Sequence, residues 1–219
     1  MTHVLEKILM KETLDEASLH ELSNISFTRK FPKNSIIITE GDQSDTFFVV
    51  LSGRVKVFLM NDDGKEVILN FHGQNEYFGE IAMLDDQPRS ASVMAIEPSQ
   101  FAIISKAEFW NCIKQNPDIA LRLINKLSLR LRELTEIVKD MALMDVYGRL
   151  EKLLSSMSEP VENSTERLIK QPLTQQDLAN IIGSSREMVT RIMKDMVSGG
   201  YIESKNKQIR IKKKLPPAW

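Results

Sequence analysis

The chain has 219 residues, 42% of them apolar and 27% charged, which excludes a disordered or collagen-like polypeptide and suits two modest domains with cores of their own. The net charge of −1 hides a division: residues 1–145 carry 16 basic against 22 acidic side chains, and residues 146–219 carry 13 against 8. That division predicts a basic second domain suited to phosphate backbones, although chance scatter of surface charge would look the same.

Residues 4–22 place Val4, Leu5, Ile8, Leu9, Leu14, Leu19 and Leu22 loosely at helical spacing, which predicts short N-terminal helices. From about Phe27 the texture changes to short apolar runs: 35–39, 46–51, 54–60, 66–71, 91–95 and 100–105. Turn clusters separate them, among them Gly41-Asp42, Ser52-Gly53 and His72-Gly73, and Asp63-Gly64 between two β-branched runs is a hairpin signal. This rhythm predicts an antiparallel sandwich or barrel. Asn116-Pro117-Asp118 then starts a helix, with a capping side chain, a first-turn proline and an acid at the positive dipole end. No Gly or Pro follows before Met144, and Leu127, Leu131, Leu134, Val138 and Met141 recur at spacings of 4, 3, 4 and 3. That seam predicts two helices supercoiling in a symmetric dimer; a long helix packed on its own sandwich is the alternative. Asp145 caps a further helix over 146–157, a polar loop covers 158–171, and two short helices follow over 174–182 and 185–198. The last runs, 201–204 and 208–212, read as a hairpin with Lys205-Asn206-Lys207 at its tip. The expected organisation is three-part: 1–115, the long helix 116–144, and 145–219.

No apolar run approaches the ~20 residues of a membrane helix, and the first ten residues lack a signal peptide's order, so a cytoplasmic protein with no membrane partner is expected. Cys112 stands alone, so no internal disulfide or cysteine cluster is expected, and its apolar neighbourhood makes it a small buried hydrophobe. No metal site, activated nucleophile, or kinase or phosphodiesterase signature is present, so an enzyme is not expected.

Near the C-terminus Thr174 caps a helix whose inward face is Leu178, Ala179 and Ile182, and Asp177 stands at capping-box spacing. Gly183 supplies a tight turn, Ser184 to Glu187 has capping-box spacing, and Val189, Ile192 and Met196 face inward again. Arg186, Glu187, Thr190 and Arg191 are left outward at the start of the second helix, as in a helix-turn-helix. An arginine fork matches guanine O6 and N7, a carboxylate accepts from cytosine N4, and Glu187 and Arg191, one turn apart, can orient each other. An ordinary surface helix with an ion pair is the bland alternative. The basic balance and the following hairpin favour DNA.

In the first half, Phe78-Gly79-Glu80-Ile81-Ala82 followed by Pro88-Arg89-Ser90-Ala91 is the most unusual stretch. Gly79 permits close backbone approach, the turn after it aims free N–H groups outward, and Arg89 can hold a phosphate bidentately. Glu80 can accept from a sugar hydroxyl. From the residues alone, a turn braced by a Glu80–Arg89 salt bridge fits equally well.

This stretch resembles the phosphate-binding cassette of cyclic-nucleotide-binding domains. Met141–Val146 with Gly148-Arg149 resembles the hinge, and Gly183–Arg191 the recognition helix, of bacterial transcription regulators of the cyclic-AMP receptor protein and fumarate-nitrate regulator superfamily. The resemblance spans residues 20–212 with three motifs in order. It implies an α+β chain: an antiparallel β-roll (jelly roll) that binds a cyclic nucleotide, a long dimerisation helix and a winged helix-turn-helix. By resemblance Gly79, Glu80, Ile81, Ala82, Arg89, Ser90 and Ala91 would hold the sugar and cyclic phosphate, with Glu80 on the ribose 2′-hydroxyl. Arg186, Glu187 and Arg191 would read a half-site within TGTGA-N6-TCACA, and Thr174, Gln175 and Ser185 would join the DNA contacts. The implied partners are double-stranded DNA, cyclic AMP as effector, a second copy of the chain, and RNA polymerase, with no cofactor.

Two positions depart from the family's cyclic-AMP receptors. Where they carry adjacent hydroxyl residues that reach adenine, this chain has Leu134-Thr135, so Thr135 alone keeps a hydroxyl, and Gln175 replaces a common basic residue. Cyclic GMP, a cyclic dinucleotide or no ligand are therefore alternatives, as is a nucleotide-binding module that acts on a protein partner. The single cysteine excludes the iron–sulfur branch, and His3, His20 and His72 are too scattered to suggest haem ligation.

Overall fold

The structure, a computed structural model, describes residues 26–43, 45–115, 117–162, 164–205 and 208–216. The helices expected over 4–22, the Asn116 cap, and Asn206 and Lys207 of the hairpin tip lie outside the described residues. By packing, the chain divides after Leu131, within the long helix.

In the first unit the strands are β1 Phe27–Phe31, β2 Ile36–Ile38, β3 Thr46–Ser52, β4 Val55–Met60, β5 Glu66–His72, β6 Tyr77–Phe78, β7 Ser92–Ala95 and β8 Ser99–Ser105. They form two antiparallel sheets, ordered β1-β8-β3-β6 and β2-β7-β4-β5. β4 and β5 are the hairpin expected at Asp63-Gly64, where Gly64 takes a φ of 76°. Strand β3 explains the layering. Its alternation sends Phe48 and Val50 into a core shared with the second sheet, and Phe47 and Val49 into a second core with the helices that follow. Both faces are covered, so β3 reads as continuously apolar. The helices are α1 Glu80–Asp85, α2 Lys106–Gln115 and α3 Pro117–Leu143, and Cys112 and Leu123 pack into the second core.

Two strands of this unit were not expected from sequence. β1 is an edge strand with mostly exposed side chains, so it lacks an apolar run. β6 is two residues long, too short for a period, although both side chains are buried.

The second unit contains α4 Val146–Met157, α5 Gln175–Ile182 and α6 Arg186–Ser198, and a sheet of β9 Glu159–Pro160, β10 Arg167–Ile169, β11 Ile202–Lys205 and β12 Gln208–Ile211 in the order β11-β12-β10-β9. The Asp145 cap forms, accepting from Gly148 N at 2.8 Å. Residues 158–171 are not all loop: β9 Glu159–Pro160 and β10 Arg167–Ile169 lie within them, and β10 pairs with β12 Gln208–Ile211. β11 Ile202–Lys205 completes the hairpin. Strands of two and three residues amid proline and charge carry no legible alternation; their ladder comes from distant partners.

Candidate functional site

The effector candidates converge where β6 runs into α1. Gly79 caps α1 with a φ of 86°, and a Cβ there would lie 2.7 Å from Arg89 Nη1 and 3.1 Å from Thr46 O. Glycine is therefore required both for the backbone angle and for the close approach. Glu80 and Arg89 are buried at 1% and 4% exposure, a costly placement for charges without partners. Arg89 donates through Nη1 to Gly79 O at 2.8 Å and through Nη2 to Thr46 O at 2.7 Å. It thus braces the loop it faces. Burial lowers its pKa, and the Glu80, Asp45 and Asp42 charges favour its cationic form. Ala82 is buried, Ile81 and Ser90 are exposed and Ala91 is half-buried.

Glu80 does not take Arg89 as its ion-pair partner. Its Oε1 accepts from Arg130 Nη1, on the long helix, at 2.6 Å, and Arg130 Nη2 stands 3.0 Å from Nε2 of buried His72. Lys126, one turn earlier on the same helix, sits 4.1 Å from the centroid of the Tyr77 ring. Burial, together with Arg130 and Lys126, lowers the His72 pKa to about 3, and burial beside Glu80 raises that of Tyr77. His72, Lys126 and Arg130 were not among the site residues expected from sequence. A legible signal existed for the two cations, a basic pair four residues apart on a helix; for His72 there was none, because its partner lies 58 residues away.

Along α3, Leu131, Leu134, Val138 and Met141 are exposed, as are Leu121, Ile124, Leu129 and Leu143. Leu127 departs from the expected seam: it is half-buried against the Phe47 core. Thr135 is exposed and belongs to the second unit.

In the second unit Thr174 and Asp177 close a full capping box: Thr174 Oγ1 accepts from Asp177 N at 3.1 Å, and Asp177 Oδ2 accepts from Thr174 N at 2.8 Å. Gly183 ends α5 at a φ of 64°. The α6 cap is Ser185, accepting from Met188 N at 3.2 Å, and not Ser184. Helix α6 begins one residue later than the Ser184–Glu187 spacing implied. Val189, Ile192, Met193 and Met196 are buried, which leaves Arg186, Glu187, Thr190 and Arg191 exposed together. The expected Glu187–Arg191 pair does not form among the described residues; Arg191 Nη2 rests 3.0 Å from Met188 Sδ. Gln175 meets Thr190 Oγ1 at 2.6 Å and so ties α5 to α6. Arg149 donates to the carbonyls of Ile182 and Met144, fastening the end of the long helix to the end of α5.

Both segments of the chain match known families. The profile of the cyclic nucleotide-binding domain covers residues 28–116, and that of the Crp-like helix-turn-helix domain covers 148–214. The chain belongs to the CRP/FNR family of transcription regulators. The cAMP-activated global transcriptional regulator CRP of Salmonella typhimurium is 33% identical over 182 residues, 82% of this chain and 87% of that protein. The cAMP-activated regulator Vfr of Pseudomonas aeruginosa is 33% identical over 184 residues, 82% and 86% of the two chains. In fold, the c-di-GMP responsive regulator CLP of Xanthomonas campestris aligns at a TM-score of 0.77 and 23% identity, covering 91% of this chain and all of that one. Among the described residues, no helix is long and apolar enough to cross a membrane.

Proposed function

We propose that this CRP/FNR-family regulator acts as a homodimer that binds palindromic DNA in response to cyclic AMP. The observation that carries the effector reading is the buried Glu80–Arg89 arrangement around Gly79. In this reading Arg89 and the N–H groups of Ile81, Ala82, Ser90 and Ala91 take the cyclic phosphate. Glu80 takes the ribose 2′-hydroxyl, for which Oε2 is suited, because only Oε1 accepts a hydrogen bond among the described residues. An anion placed beside a buried arginine and a glycine-opened turn gains charge-assisted bonds that water does not match. Thr135, where the family's cyclic-AMP receptors carry a hydroxyl that reaches adenine, is the candidate for base selection. The relatives named for cAMP activation support this choice of nucleotide.

The exposed apolar run Ile124, Leu131, Leu134, Val138 and Met141 supports the dimer, since a stripe of this kind on a single helix is a surface that a second copy covers. A two-fold dimer would set its recognition helices about one DNA turn, ~34 Å, apart. Arg186, Glu187 and Arg191 then read a TGTGA-like half-site, while Ser185, Thr174, Gln175 and the basic wing contact phosphates. Effector binding shifts a population between dimer states, with a coupling of about 1–3 kcal/mol. RNA polymerase is the expected further partner.

Calorimetric titration with cyclic AMP, cyclic GMP and cyclic di-GMP, followed by titration of duplex DNA, tests this reading. Selective cyclic AMP binding that tightens DNA binding supports it. Binding of cyclic di-GMP alone, or DNA binding indifferent to all three, overturns the effector assignment. Failure to bind duplex DNA at any salt concentration favours a module acting on a protein partner.

A further inference from the structure

His72 is a residue that the phosphate-cassette reading leaves without work. It closes β5, its ring lies nearly parallel to that of Phe78 with centroids 6.4 Å apart, and it is 2% exposed. Phe78 directly precedes Gly79 and Glu80, so the imidazole plane is set by the strand that delivers the site. The Nε2 edge faces Arg130 Nη2 at 3.0 Å. A guanidinium is all donors, so this nitrogen must be the acceptor, and a neutral imidazole then carries its proton on Nδ1. Nδ1 has no hydrogen-bond partner among the described residues, and the nearest carboxylate oxygen, Glu76 Oε2, is 3.9 Å away.

The consequence falls on Arg130. Its two terminal nitrogens are held separately, one by Glu80 Oε1 and one by His72 Nε2. Two fixed points set the plane of the guanidinium, where the Glu80 contact alone would leave it free to pivot. Arg130 is in turn what fixes the carboxylate and directs its second oxygen away from the ion pair.

We propose that His72 is a positioning residue of the effector site: as the Nδ1–H tautomer it holds Arg130 on Glu80 and thereby presents Glu80 Oε2 to the sugar hydroxyl of the bound nucleotide. This rests on the cyclic-nucleotide reading above and adds to it a third residue that touches no ligand. A buried histidine that merely fills space would tolerate any side chain of similar size. One that positions Arg130 requires an acceptor at Nε2.

The experiment compares His72→Leu, which keeps the bulk and removes the acceptor, with His72→Gln, whose amide oxygen can replace it. Calorimetry with cyclic AMP should show a loss of about tenfold for His72→Leu and recovery to within about threefold of wild type for His72→Gln. Nitrogen-15 spectra of the ligand-free protein should show His72 with an unprotonated Nε2 and a protonated Nδ1, not titrating down to pH 5. Arg130→Ala should move the Nε2 resonance. Wild-type affinity in His72→Leu, or no recovery in His72→Gln, overturns the positioning role. So does a proton on Nε2 or a resonance indifferent to Arg130→Ala. If wild type binds neither cyclic AMP nor cyclic GMP, the effector reading fails by itself, and the ligand-free spectra still decide whether His72 holds Arg130.

Discussion

The two units use charge in opposite ways. In the β-roll, Glu80, Arg89 and His72 are buried, and hydrogen bonds to backbone and to Arg130 hold Glu80 and Arg89 in place. In the helix-turn-helix unit, Arg186, Glu187 and Arg191 are exposed, and the bonds that matter are the caps behind them, Thr174 with Asp177 and Ser185 with Met188 N. On the proposed reading, a small anion suits donors already fixed before it arrives, and a DNA groove suits exposed side chains on a rigid helix. Removing one of these candidate charges should therefore damage folding in the first unit and leave it intact in the second.

The largest effect tests that contrast directly. Arg89→Leu deprives Gly79 O and Thr46 O of their donors and is expected to lower stability by about 2–5 kcal/mol, besides removing nucleotide binding. Urea unfolding measures it. An unchanged midpoint with lost binding would make Arg89 a ligand contact alone and erase the distinction between the units.

The next expected effect depends on pH. His72 is held neutral by burial, with a folded pKa of about 3 against an ordinary 6.5. Arg130 and Lys126 from the long helix oppose its protonation, and the carboxylates of Glu76 and Glu80 lie nearby. Above pH 6.5 both folded and unfolded states are neutral and the residue adds no pH dependence. Below it the unfolded chain takes up a proton that the folded chain refuses, so stability falls as pH falls toward 3. By pH 4.5 the difference between His72→Gln and wild type should have moved in the variant's favour by about 2–3 kcal/mol. Parallel pH–stability curves for the two proteins would count against a buried neutral imidazole.

In the second unit, Arg186→Ala is expected to cost about 1–3 kcal/mol on the specific duplex and to relax discrimination at one base pair, with no change in unfolding. An equal loss on all duplexes would make Arg186 a phosphate contact. The smallest effect belongs to the scaffold behind it. Thr174→Ala opens the capping box and should lower the second unit's stability by about 1 kcal/mol, read by thermal unfolding, without changing which base is preferred.

Much of this was legible before the structure. The hairpin at Asp63-Gly64, the Asp145 and Thr174 caps and the buried Cys112 rest on local chemistry, and local chemistry survives in sequence. The edge strand β1 and the short β6, β9 and β10 were not legible, because their pairing partners, not their own periodicity, make them strands. Leu127 shows the same limit from the other side: heptad spacing places it in the seam, but the Phe47 core half-buries it.

The sequence by itself determined most of the helices and the longer apolar strands, their order, and the chemical kinds of the candidate residues: a glycine-opened turn with Glu80 and Arg89, and a capped helix bearing Arg186, Glu187 and Arg191. Those depend on spacings of a few residues, which backbone geometry converts into faces and turns. Only the tertiary structure decided who pairs with whom. It gave Glu80 to Arg130, 50 residues away, and set His72 against the same guanidinium from 58 residues away. Contacts at such separations arise when a sheet and a helix close on each other, and no local pattern carries them.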